Sequence, residues 1–346
     1  MHIHSAPSSQ RFAASGLSLV ELLVALAISL LVLFALTNVF IATKANTRLQ
    51  GGMSRINENT QVAADALARD IRLIAHIGCP ALGEVSRGFR RLSRDSIDDT
   101  GGANSFAMTP TSVVRVFPAD GTLPGTALAG SPVIDVTHAA SAGSHLLAPT
   151  TSRRVAPNST IATSLLLRSD PGIRMPAVSD TNSYPTAVIS DCATAETFQV
   201  VGVNAANTAW RVDPFNLLRT LYSTDARVMP VTRTQYFVGN HVRPGDERST
   251  RAIFKRTMLA DGYNWNPIPQ PLVHDIDSMA ITMELDTDGS FASDSSVAST
   301  AAFNPSQVVG LTINLILKTP DSVRGTGGVA VQRTSSATVG VRARTS

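Results

Sequence analysis

Residues 17–42 read LSLVELLVALAISLLVLFALTNVFIA, a run of 26 residues with one charge, Glu21, and neither glycine nor proline. About 20 apolar residues in helix suffice to cross the hydrocarbon core of a bilayer. No second run of this length follows, so the sequence predicts one span, with residues 43–346 on one side of the membrane. A lone carboxylate within such a span costs about 2.5–3.5 kcal/mol on insertion scales, so Glu21 calls for a partner. The small residues Ala13, Ala14, Ser15 and Gly16 precede the run rather than follow it, the reverse of a secretory signal peptide. Lys44, Arg48 and Arg55 on the far side outnumber Arg11, so charge counting alone favours a cytoplasmic position for the rest of the chain.

The helical pattern continues past the span. Ile56, Thr60, Ala63, Leu67, Ile71 and Ile74 recur at three- and four-residue steps, with Glu58, Gln61, Asp65, Arg69 and Arg72 on other faces. Gly78 and Pro80 then supply a stop signal. One helix over 17–77 would be about 90 Å long at 1.5 Å per residue. Its outer half can bury its stripe only against a folded domain. Gly51-Gly52 predicts a bend or fray, since each glycine costs about 1 kcal/mol against alanine in a helix.

After residue 80 the pattern shifts to period two. Val113–Phe117, Val133–Thr137, Ser164–Arg168, Phe198–Val203, Thr234–Val238, Ala252–Met258, Met279–Leu285, Val308–Leu317 and Val339–Arg342 read as strands. Residues 289–302 (GSFASDSSVASTAA) read as a flexible surface loop. The fold class expected is α+β: a long N-terminal helical stem, half membrane span and half amphipathic, packed on a mainly antiparallel β-sheet head.

Gly16-Leu17-Ser18-Leu19-Val20-Glu21-Leu22 resembles the prepilin-type signal of type IV pilins and type II secretion pseudopilins. The resemblance implies a pilin-like fold and cleavage between Gly16 and Leu17 by a prepilin peptidase, with N-methylation of Leu17. Glu21 then stands fifth in the mature chain, able to meet the free Leu17 amine of a neighbouring subunit and set axial register. Residues 1–16 would be a removed leader, 17–78 the transmembrane and stem helix, and 79–346 a periplasmic β-rich head. Many pilins carry a helix-kinking proline where this chain has Asn38. The run from Ser54-Arg55 and Glu58-Asn59 through Leu67-Ala68-Arg69-Asp70-Ile71-Arg72 to Gly78-Cys79 is similar to the stem of the PilW family of minor pilins. Thinner likeness follows at Gln235–Val238, Leu272–Gly289 and Thr338–Arg342, and residues 80–230 show none.

That family implies a non-enzymatic role in pilus assembly and twitching motility. The partners implied are other minor pilins, the major pilin, the inner membrane and a tip adhesin. The alternative is a J-type pseudopilin of type II secretion. In an oxidising periplasm Cys79 and Cys192 can form a disulfide; two separate buried thiols are the other reading.

Composition limits the rest. With 43% apolar and 16% charged residues the chain is not of the disordered class. A net charge of +3 gives no electrostatic footprint for nucleic acid, and the run Arg87, Arg90, Arg91, Arg94 lacks interleaved aromatics, so it reads as a solvated loop. No metal-binding pair, nucleophile elbow or phosphate loop appears among the motifs, so no catalytic residue, cofactor or metal is expected. Arg324-Gly325-Thr326-Gly327-Gly328 reads as a turn. Asp286, Asp288 and Asp294 faintly resemble a calcium loop, but Val297 stands where a bidentate Glu would be needed, which favours a solvated turn.

Overall fold

The computed structural model describes residues 18–74, 76–78, 114–120, 123–124, 126–140, 143–150, 164–168, 185–191, 194–206, 208–212, 218, 221–242, 249–258, 265–290, 292–298, 307–319 and 330–341. One long helix and two antiparallel sheets make up the α+β fold. The chain divides into two compact units, Met1–Met53 and Ser54–Ser346.

Helix α1 spans Leu19–Arg72. Its hydrogen bonding continues through Gly51-Gly52, so the expected break is absent. The helix ends five residues sooner than the spacing suggested. The chain there tightens into three-residue bonds from the amides of Leu73, Ile74 and His76 to the carbonyls of Asp70, Ile71 and Leu73. This turn seats Ile74 and Ile77 in the core and frees the His76 carbonyl to accept the Ala139 amide at 2.9 Å. Gly78 follows with φ +107°, and a Cβ there would stand 2.7 Å from Ser190 Oγ. Only glycine fits without strain.

The larger sheet runs β1 (Val114–Pro118), β2 (Pro132–Ala139), β8 (Arg227–Val242), β5 (Thr186–Ser190), β6 (Ala195–Val203), β7 (Ala209–Val212), β4 (Ser164–Leu166). Strand β8 is its spine. The first part of β8 pairs with β5 and with the short β3 (Ser144–His145). Farther along, β8 pairs with β2 and β9 (Ser249–Thr257), and β10 (Gln270–His274) adds to β9. The second sheet runs β12 (Ser295–Ala298), β11 (Ile276–Leu285), β13 (Val308–Lys318), β14 (Gln332–Gly340).

The amphipathic part of α1 completes the main core. Ile56, Ala63, Leu67 and Ile71, with Ile74 just past the helix end, are buried with Ile134, Val136, Tyr236 and Val238 of the larger sheet and Met279, Ile281, Ile313 and Leu315 of the smaller. At about 25 cal/mol per Å², each of the buried isoleucine, leucine, valine and methionine side chains stabilises the fold by about 1.5–3 kcal/mol. A second core, formed by Leu165, Ile189, Phe198, Val200, Trp210 and Tyr222 among others, contains no residue of α1. It belongs to the excursion between β2 and β8. Those two strands pair directly (Ile134 opposite Tyr236), yet β3 to β7 lie between them in chain order.

The segment expected to be a loop contains β12, whose Ser295–Ala298 pair with Leu285–Thr282 of β11. An exposed edge strand draws its stability from backbone pairing and needs no apolar side chains, which is why its composition misled. The final strand lies mostly before the expected Val339–Arg342, at Gln332–Gly340.

Candidate functional site

Within the first unit, every large apolar residue from Leu19 to Ile41 is exposed, with Leu19 at 76% and Phe40 at 67%. This segment is the one place among the described residues where a helix is long and apolar enough to cross a membrane. Its internal polar groups are partly self-satisfied: the hydroxyls of Ser29, Thr37 and Thr43 donate to the carbonyls four residues back at 2.7–2.8 Å. Hydroxyls bonded this way can lie in lipid without a partner from another chain.

The start of the helix is more specific. The Ser18 amide donates to Glu21 Oε2 at 3.0 Å, and the Glu21 amide donates to Ser18 Oγ at 3.3 Å. This reciprocal pair is a capping box, in which Ser at the N-cap and Glu three residues on satisfy each other's orphan amides. The positive end of the helix dipole further favours a carboxylate at this position. The Ser-x-x-Glu spacing of Ser18-Leu19-Val20-Glu21, directly ahead of an apolar run, is the signal in the sequence by which Ser18 can be recognised as the cap. Gly16 and Leu17 lie outside the described residues, and so do Cys79 and Cys192. The cluster from Arg87 to Arg94 and the Arg324–Gly328 turn lie outside them too.

Within the second unit, the last turn of α1 carries a carboxylate on its buried side. Asp70, 8% exposed, accepts hydrogen bonds from Tyr236 Oη on β8 and from Lys255 Nζ on β9, the latter at 2.7 Å. Burial alone would raise the Asp70 carboxyl. The Lys255 and Tyr236 hydrogen bonds, with the Lys255 charge and His138 beside it, outweigh that and hold it below the usual carboxylate range. His138 and His76 are both pushed down by burial. Two further contacts fasten the helix: Asn59 Nδ2 donates to the His274 carbonyl at 3.1 Å, and Arg333 of β14 donates to Asn57.

On the larger sheet Arg115, Asp135, Gln235 and Arg256 stand in one row across β1, β2, β8 and β9. Arg233 grips Asp135 through two hydrogen bonds, and both are almost wholly buried. The guanidinium groups of Arg233 and Arg256 each lie over the Trp265 ring, 5.3 and 5.4 Å from its centre. These charged groups brace the sheet.

Asp286, Asp288 and Asp294 come together, their ligand atoms within 4.8 Å of one another, and they form the one group of three potential metal ligands among the described residues. Their oxygens already serve the loop. Asp286 accepts from the amides of Gly289 and Ser290, Asp288 from Ser290, and Asp294 from the amide and hydroxyl of Thr287. Such a network accounts for the three carboxylates as a turn, and hydrogen bonds to Ser290 hold Asp288 below its ordinary value.

No protein-family model matches the chain, and no curated protein or solved structure resembles it significantly.

Proposed function

We propose that this chain is a minor pilin, a non-enzymatic subunit that helps initiate and build a type IV pilus. It would sit in the inner membrane as a single-pass protein with a periplasmic head, then enter the filament or its tip complex through its N-terminal helix. The observation that carries the reading is the two-part character of α1. The sequence carries a prepilin-like Gly16-Leu17-Ser18-Leu19-Val20-Glu21, and the helix that starts at Leu19 exposes all its large apolar residues up to Ile41 and buries Ile56, Ala63, Leu67 and Ile71 in the core of the β-rich unit. An apolar segment of that length has to be covered by lipid or by other helices. A bundle of identical segments supplies the second cover, and there Glu21 is the one charge able to fix register between neighbours.

A strain lacking the gene tests this directly. Loss of sheared surface pili with normal enzyme secretion supports the minor-pilin reading. Intact pili with failed secretion would assign the protein to the type II secretion pseudopilus. If neither changes, the proposal falls. Within the pilus, Glu21→Ala should be processed at Gly16 as usual but fail to recover its partner pilins on pull-down; undiminished recovery would refute the role given to Glu21.

A further inference from the structure

We infer that the free edge of β14 pairs antiparallel with β14 of a second copy of this chain, with Ser336 on the two-fold axis, so that two four-stranded sheets join as one. The inference does not depend on the reading of α1. It starts from a contrast among the sheet edges. A free strand edge offers unpaired amides and carbonyls to other strands, and proteins blunt such edges with short strands, prolines, bulges or charges. Here β1 has five residues and ends in Pro118, β3 has two, β4 has three and β12 has four. β10 holds Pro271 and a register shift beside it. β14 has none of these safeguards. It runs nine residues, QRTSSATVG, without proline, lysine or acid, and meets β13 without a break in register. Its one charge, Arg333, is turned to Asn57 of α1. No described strand pairs with its far side.

The backbone bonding fixes which groups face outward. The Val341 amide donates to the Val309 carbonyl at 2.7 Å, and at the other end the Thr319 amide donates to the Val331 carbonyl at 2.8 Å. In an antiparallel ladder, alternate residues direct both backbone groups to the same neighbour. The odd-numbered residues of β14 therefore bond to β13, and Gln332, Thr334, Ser336, Thr338 and Gly340 present their amides and carbonyls to the open side. Full overlap with a second β14 places Ser336 opposite itself, Thr334 opposite Thr338 and Arg333 opposite Val339. No like charges meet, and the Thr–Thr pairs are of a kind that stabilises adjacent strands. The outward-bonding residues fall opposite one another, so about ten backbone hydrogen bonds can form. Each chain has one such edge among the described strands, so the pairing closes at two copies and does not grow into a fibre.

The test uses the full chain in membranes of the cells that make it, oxidised with copper phenanthroline and run on non-reducing gels. The substituted side chains, at Thr334, Ser336 and Thr338, are exposed, so each variant should keep the melting temperature of the unchanged chain. Opposed residues of a hydrogen-bonded pair lie about 5.5 Å apart between Cα atoms, a separation a disulfide spans. Ser336→Cys should therefore give a dimer band several-fold above that of the unchanged chain, whose own cysteines set the background. Thr334→Cys alone and Thr338→Cys alone, each roughly 14 Å along the strand from its counterpart, should stay at background. The two made together should link as Ser336→Cys does. Adding Ser336→Lys to that pair sets two like charges on the axis and should return the band to background. Equal bands from all three single cysteines, or no band above background, would overturn the pairing. Linkage of Ser336→Cys to a different protein alone would overturn it as well, in favour of a strand from that protein.

Discussion

Replacing Asp70 with alanine should loosen the junction between the last helical turn and the sheet. The carboxylate is 8% exposed and serves two donors of unequal exposure. Lys255 keeps 29% of its side chain in solvent, so its ammonium can turn to water and its loss contributes little. Tyr236 is fully buried, and its hydroxyl would be stranded. An orphaned buried hydroxyl costs about 1–3 kcal/mol, and a lost charge-assisted bond adds about 1.5–3 kcal/mol, less the desolvation no longer needed for the carboxylate. The net expectation is a loss of about 3 kcal/mol. Urea unfolding of the full chain in detergent, followed through Trp210 and Trp265, gives the measurement. With a slope near 3 kcal/mol per molar, the midpoint should fall by about 1 M. The pair Asp70→Ala with Tyr236→Phe should recover about 1–2 kcal/mol of this, since no hydroxyl is left stranded. A loss under about 0.5 kcal/mol for the single variant, or no recovery in the pair, would refute the reasoning.

Acid should destabilise the same junction in two stages. His76 and His138 have folded values below 6.5, so the unfolded chain binds protons first and stability falls as pH drops below 6.5. The Asp70 carboxyl is depressed, so its contribution is present above 3.8 and is lost as pH falls through the lower folded value. Melting temperature against pH should show both steps, with the first diminished in His138→Gln. Gly78→Ala should cost about 2 kcal/mol or more, because φ +107° is strained for alanine and its Cβ meets Ser190; an unchanged denaturation midpoint would contradict this. A chain beginning at Ser54 should stay soluble without detergent, whereas one beginning at Gly78 should not fold, having lost the six buried apolar residues from Ile56 to Ile77; size-exclusion chromatography decides both. Millimolar calcium should leave the melting temperature unchanged, as an oxygen of each of Asp286, Asp288 and Asp294 already accepts a backbone amide and Val297 offers no further carboxylate.

How far the fold can be read from the chain depends on where each element finds its stabilising contacts. The apolar run and the stripe from Ile56 to Ile74 declare a helix because their partners are lipid-like or lie on one face. Strands with buried alternation, such as β11 and β13, declare themselves for the same reason. β14 does not. Eight of its nine residues, all but Val339, read as small or polar, and most are exposed, so no alternation marks it. Its order comes from nine successive partners on β13. Asp70 was equally hidden: a carboxylate among helix charges looks solvated until Tyr236 and Lys255 arrive from 166 and 185 positions away. Arg233 and Asp135 meet only through the β2–β8 register, which no local pattern encodes.

The way α1 is fastened also sets a schedule for the growing chain. Asn57 is held by Arg333, 276 residues later, and Asn59 by the carbonyl of His274, 215 residues later. At about 5–20 residues per second, a ribosome needs roughly 14–55 s to bring out the last of these partners. The stripe from Ile56 to Ile77 is among the first parts made and among the last to be covered. Ile134, Val136, Tyr236 and Val238 reach it first, and its cover is complete only when the strands from Met279 to Val339 have followed.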